Sequence, residues 1–148
     1  MTTISAFMID QHHHCDDLFA AAENAVADGR WEAVSDDFNR FRRETAHHFD
    51  REENVLFPAF EEASGMTGGP TQVMRMEHTQ MRGVLADMAQ AVAGKNGQDY
   101  LGHSETLLML MQQHNLKEEQ ILYRMIDQTL GGRKDALLDE VRELAASV

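Results

Sequence analysis

Apolar residues recur along this chain at steps of three and four, and nowhere in sustained alternation. Met8, His12, Cys15, Phe19, Ala22 and Val26 make one stripe. Val34, Phe38, Phe41, Thr45, His48, Glu52, Val55 and Ala59 make a second, and Met74, His78, Met81, Leu85, Met88 and Val92 a third. Leu107, Met111, His114, Glu118, Ile121 and Met125 make a fourth. Positions so spaced share one helix face. Gly29, the run from Gly65 to Pro70, the run from Gly94 to Gly97, and Gly131 with Gly132 cut the chain into segments near 4–28, 32–64, 70–93, 98–130 and 133–146. Only Gly83 and Gly102 fall inside a segment. The pattern predicts an all-α fold: an antiparallel up-down four-helix bundle with a short additional C-terminal helix carrying Leu137, Leu138, Val141 and Leu144. Pro58 predicts a kink in the second helix, or its early end.

A length of 148 residues suits one domain spanning 1–148 and permits a core without disulfide staples. The lone cysteine, Cys15, can form no internal disulfide, which suits a reducing compartment. The first residues, MTTISAFMIDQHHH, lack the basic and apolar regions of a signal peptide, and no stretch nears the roughly 20 apolar residues of a membrane span. A cytoplasmic protein is expected. Thirteen basic against 25 acidic residues leave a net charge of −12, which argues against nucleic acid or an anionic membrane as partner. Oligomeric state is left open.

The stripes break in a regular way. Each is apolar except where it carries His12, His48 with Glu52, His78, or His114 with Glu118. Charged groups facing a core are costly unless paired or bound to a metal. A repeat sharpens the point. His48-Phe-Asp-Arg-Glu52-Glu53-Asn-Val55-Leu56-Phe57 matches His114-Asn-Leu-Lys-Glu118-Glu119-Gln-Ile121-Leu122-Tyr123 at an offset of 66 residues. The same offset carries His12 onto His78, Met8 onto Met74, Phe19 onto Leu85 and Val26 onto Val92. Two helical hairpins related by a pseudo-twofold axis are expected. Residues four apart stack on one helix face, so each His-x-x-x-Glu pair can reach one metal, or two metals a few ångströms apart. Two Glu from facing helices can bridge such a pair while imidazoles cap each ion. Mixed imidazole and carboxylate ligation suits iron or manganese. Ferritin-type bundles use a Glu plus a Glu-x-x-His on their helices; here the order is reversed, the step is four, and His replaces the lone Glu.

These motifs, the stretch D-Q-H-H-H-C, H48-x-x-x-E52-E53, E77-H78 and H114-x-x-x-E118-E119, resemble the hemerythrin-like family of HHE cation-binding domains over about residues 4–130. The resemblance implies a non-haem di-iron site inside the bundle. Family members carry or sense dioxygen, respond to nitric oxide or peroxide, or repair iron–sulfur centres. Carried over residue by residue, the ligands would be His12, His48, Glu52, His78, His114 and Glu118, holding two iron ions (Fe2+/Fe3+) joined by an oxo or hydroxo bridge. Of the three adjacent histidines, only His12 lies on the stripe and maps onto His78; His13 is a weak reserve. Oxygen-carrying members have His-x-x-x-His on the third helix, and here the second place is Arg82. One imidazole fewer leaves a further open position, which favours oxidation in air over reversible oxygen carriage.

Other residues have plainer readings. Glu53 and Glu119 sit about 100° off the seam and read as outer partners or solvated groups rather than ligands. Cys15 reads as a small buried thiol, and Arg82 as a solvated charge or a cation near the carboxylates. His103 is eleven residues from His114, about 16 Å along the axis and too far for the same metal. Three function classes stand. The first is a protein that binds or responds to a small diatomic or peroxide ligand. The second is an enzyme of peroxide or nitric oxide turnover, or of iron delivery to iron–sulfur clusters. The third is a purely structural metal site, perhaps zinc.

Overall fold

A computed structural model describes residues 2–145. Helix α1 (Ile4–Ala27) is followed by α2, which spans 31–64. That long helix is α-helical over Trp31–Arg51, passes through a π-helical turn at Glu52–Leu56, and resumes as α-helix over Phe57–Ser64. Helix α3 covers Pro70–Ala93. Helix α4 spans 97–130 and repeats the design of α2, with a π-helical turn at Glu118–Leu122 between Gly97–Lys117 and Tyr123–Leu130. A 3-10 turn, Gly131–Arg133, leads into α5 (Lys134–Glu143). No strand occurs among the described residues. The expected C-terminal helix ends at Glu143, and its expected last position, 146, lies outside the described residues.

Local chemistry sets the ends. Thr3 caps α1, its Oγ1 accepting from the Ala6 N–H at 3.0 Å, and Asn96 caps α4, its Oδ1 accepting from the Asp99 N–H at 3.0 Å. Helix α2 stops at Gly65, whose φ of +75° lies in the left-handed region that glycine enters at little cost. Pro58 neither ends nor starts the distortion of α2. Its repeat counterpart in α4 is Arg124, and the π turn is present in both helices. The turn pairs i to i−5, the Phe57 N–H bonding the Glu52 carbonyl, and Pro58, the next residue, has no N–H to offer. Arg75 on α3 donates from Nη1 to the Glu53 carbonyl at 3.2 Å.

The π turns also shift the apolar stripes. The sequence pattern continues past Glu118 through Ile121 and Met125, yet Ile121 is 56% exposed and Met125 only partly buried. Leu122, Tyr123, Ile126 and Leu130 face the core instead. One extra residue in the turn rotates everything beyond it by most of a helical step. In α2 the same shift turns Leu56, Phe57 and Phe60 inward.

Helix α1 packs on α2 and α4 and α3 on α4 and α2, and past the π turns Phe57–Ser64 of α2 also meets Tyr123–Leu130 of α4. The core divides into two apolar clusters. One gathers Phe19, Phe38, Phe41, Leu85, Met88, Tyr100 and Leu107. The other gathers Ile4, Met8, Phe57, Phe60, Ile126 and, from α5, Leu137, Leu138 and Val141. Helix α5 closes this second end. Arg51 Nε donates to the Val141 carbonyl at 2.8 Å, and His47 Nε2 lies 2.7 Å from the Leu144 carbonyl, so two oxygens at the end of α5 find donors on α2. The polar positions of the four stripes meet in a single layer between the two clusters.

Candidate metal centre

The structure brings His12, His48, Glu52, His78, His114 and Glu118 together at the centre of that layer. All six are buried, none more than 4% exposed. Their inward-facing atoms form two groups, each drawn within 4.8 Å: Glu52, His78, His114 and Glu118 in one, His12, His48 and Glu118 in the other. Glu118 belongs to both. Its Oε1 lies 3.1 Å from His12 Nε2 and 3.3 Å from His114 Nε2. Glu52 Oε1 lies 3.1 Å from His78 Nε2 and 3.5 Å from His48 Nε2.

Every imidazole is turned the same way, and an outer residue explains why. His78 Nδ1 donates to Glu53 Oε2 at 2.6 Å, and His12 Nδ1 to Glu119 Oε2 at 2.7 Å. His114 Nδ1 donates to Glu77 Oε1 at 2.8 Å, and His48 Nδ1 to the amide oxygen of Gln11 at 2.8 Å. An acceptor on Nδ1 fixes the tautomer and leaves the Nε2 lone pair free toward the centre. Glu53 and Glu119 are thus orienting partners, as their angular offset predicts. Gln11 and Glu77 escaped the sequence reading, although Glu77 stands in the motif itself. Each directly precedes the first histidine of its half, and they are 66 residues apart. Arg82 points away from the centre. It clasps Glu53 with two hydrogen bonds, at 2.8 and 3.1 Å, and rests over the Phe49 ring. Lys117 holds Glu77 with one hydrogen bond from Nζ to Oε2. His13 is exposed on the outer face of α1, and Cys15 is buried, its thiol pushed up to about 11 chiefly by burial.

A further residue reaches the centre that the stripes do not single out. Tyr123 Oη lies 2.8 Å from Glu52 Oε2, 3.0 Å from Glu118 Oε1, 3.1 Å from His12 Nε2 and 3.4 Å from His48 Nε2. Tyr123 is five residues after Glu118, which in a regular helix would place it about 140° away. The π turn brings the two onto one side, with the Tyr123 N–H bonded to the Glu118 carbonyl. The sequence signal was the final position of the repeat, where Tyr123 answers to Phe57.

The electrostatics are those of a site built around positive charge. Burial raises the Glu52 carboxyl, and the nearby Glu118 raises it further, since two carboxylates in one pocket resist ionising together. Burial also opposes ionisation of Glu118, but hydrogen bonding to Glu52 and the His114 and His12 imidazoles outweigh it and hold it well below its usual range. Burial drives His48 down to about 3. His114, despite burial, is carried up to about 9 by Glu118, Glu52 and Glu77. Among the buried atoms without a hydrogen-bond partner are Glu52 Oε1, His78 Nε2, His114 Nε2 and Glu118 Oε2. These are one donor from each member of the first group. A cation would satisfy these convergent buried groups, and the mixed nitrogen and oxygen donors suit a first-row metal such as iron or manganese.

Comparison with known proteins agrees with this geometry. The family model of the hemerythrin HHE cation binding domain matches residues 3–126. The chain therefore belongs to the hemerythrin HHE cation-binding family. No curated protein and no solved structure matches it.

Proposed function

We propose that this chain is a non-haem di-iron protein that binds or responds to a small ligand such as dioxygen, peroxide or nitric oxide. His12, His48, Glu52, His78, His114 and Glu118 are its metal ligands. The observation that carries the reading is the convergence of their buried donor atoms, four of them without a hydrogen-bond partner.

Bound iron would supply redox activity and coordination positions open to a small ligand. The protein supplies the rest. Glu53, Glu119, Glu77 and Gln11 hold the four imidazoles by Nδ1 so that no ring must reorient when an ion arrives. Glu118 lies within reach of donors from both halves, and Glu52 faces it. The Phe49 ring stacks on His78 at 4.0 Å between centroids, and Phe57 lies on it at 5.9 Å, which keeps bulk water off that side. The burial of all six donors admits only a very small ligand. The same burial suits a second reading, in which a metal such as zinc only ties the helices together.

Anaerobic loading with ferrous iron, elemental analysis and an optical spectrum before and after air distinguish the two. Two irons per chain, a spectrum that changes on exposure to air, dioxygen consumption, and loss of bound iron in His114→Ala are expected. Zinc as the only ion retained, or one ion held tightly irrespective of His114, would overturn the di-iron reading.

A further inference from the structure

The two halves of the centre repeat one another, and one of their differences reaches the layer itself. Phe57 and Tyr123 are repeat counterparts at the ends of the two π turns, both fully buried, and only Tyr123 carries a hydroxyl into the layer. That oxygen is 3.1 Å from His12 Nε2, 3.4 Å from His48 Nε2 and 3.0 Å from Glu118 Oε1. The donors it joins have similar spacing: His12 Nε2 is 3.1 Å from both His48 Nε2 and Glu118 Oε1.

Spacings of this size have a simple meaning. Nitrogen and oxygen ligands bind a first-row metal at about 2.0–2.2 Å. Adjacent vertices of an octahedron are the bond length times √2 apart, or about 3 Å for such bonds. The Tyr123 oxygen therefore stands among His12, His48 and Glu118 as a fourth vertex stands among three. A phenol has one proton to donate, and here four acceptors surround it, more than hydrogen bonding can use. The hydroxyl also lies 2.8 Å from Glu52 Oε2 in the opposite group, whose Glu52 Oε1, His78 Nε2, His114 Nε2 and Glu118 Oε2 have no hydrogen-bond partner.

We propose that Tyr123 is a direct metal ligand, bound through Oη to the ion that His12 and His48 hold. The inference rests on the metal-centre reading above. On binding, the phenol O–H bond breaks, its proton leaves to solvent, and an O–metal bond forms; no electron is transferred. The centre is then unequal. The ion on the His12 side gains a phenolate that its neighbour lacks, which brings the group of His12, His48 and Glu118 to four donors, the number the other group already has.

Ferric iron coordinated by a phenolate absorbs in the visible through ligand-to-metal charge transfer, and excitation into that band enhances Raman modes of the phenolate ring. The full chain, loaded with iron and oxidised, should show both, and Tyr123→Phe should lose both while keeping its His114-dependent iron. Phe57 already occupies the equivalent place, so the variant has a precedent for its packing; its far-UV spectrum and melting temperature check the fold. The assignment is unambiguous because the chain has two tyrosines and the other, Tyr100, packs in the distant apolar cluster. Two ferric ions in the native protein without phenolate modes would keep the metal centre and overturn Tyr123 as its ligand. Phenolate modes that persist in Tyr123→Phe would overturn it too. A protein that takes up no iron would lose both readings.

Discussion

Glu77 and Gln11 do the same task with different chemistry. One accepts from His114 as a carboxylate, the other from His48 as an amide. A carboxylate on Nδ1 makes the imidazole the stronger ligand. Glu77→Gln, which copies the other half, should lower metal affinity about 10–100-fold without unfolding the bundle, as read by competition with a chelator. Unchanged affinity would mean that the outer acceptor only sets orientation. Glu118→Gln should cost more affinity and also lower the stability of the metal-free bundle, because it removes the carboxylate that His114 and His12 pair with. Glu53 sets a pH dependence. Burial alone would raise its carboxyl, but hydrogen bonds from His78 and Arg82 outweigh that and hold it down at about 2, against an ordinary 4.5. The unfolded chain therefore binds this proton first as pH falls. The stabilisation is complete above about 4.5 and is lost as pH drops from there through about 2. Melting temperatures over that range should fall less steeply in Glu53→Gln than in the native chain.

Among the elements, the π turns explain more than the helices around them. Both begin on an inward-facing glutamate, Glu52 or Glu118, and both end one residue before an aromatic ring, Phe57 or Tyr123. Such turns trade good i to i−4 pairing for a new side-chain direction, and they are tolerated where surrounding packing stabilises them. For α2 that packing includes α5, which rests on the turn and buries Leu137, Leu138 and Val141 against it and against α1. Leu138→Ala should cost about 2–5 kcal/mol of stability in chemical denaturation, the range for a large-to-small change in a packed core. A change near zero would show that α5 is not docked in solution.

The molecule as a whole is two apolar clusters joined through a charged layer. Without a cation, that layer is a liability: two carboxylates and four imidazoles share a region almost closed to water. An ion that binds only the folded chain adds stability by mass action, about 2.7 kcal/mol at a hundredfold excess over its dissociation constant. The loaded protein should therefore melt above the metal-free one, with the gap growing with metal concentration. Equal melting temperatures at saturating metal would argue against binding in this layer. Among the described residues, no helix is long and apolar enough to cross a membrane.

The sequence by itself determined the four-helix order, the pseudo-twofold repeat and the six converging polar residues, because helical period and repeat offset are local properties of the chain. His12, His48, His78 and His114 could be read as one layer because each interrupts an apolar stripe. What happens after the glutamates could not. Whether a helix admits one extra residue depends on packing across the bundle, so the stripe predicts Ile121 in the core and the packed chain exposes it. The same turn carries Tyr123 into the centre. The role of Arg82 is likewise set by a neighbour on another helix, since Glu53 stands close enough to take both Nη1 and Nη2. Period tells which face a residue occupies while the helix stays regular; where it does not, only the packed structure decides.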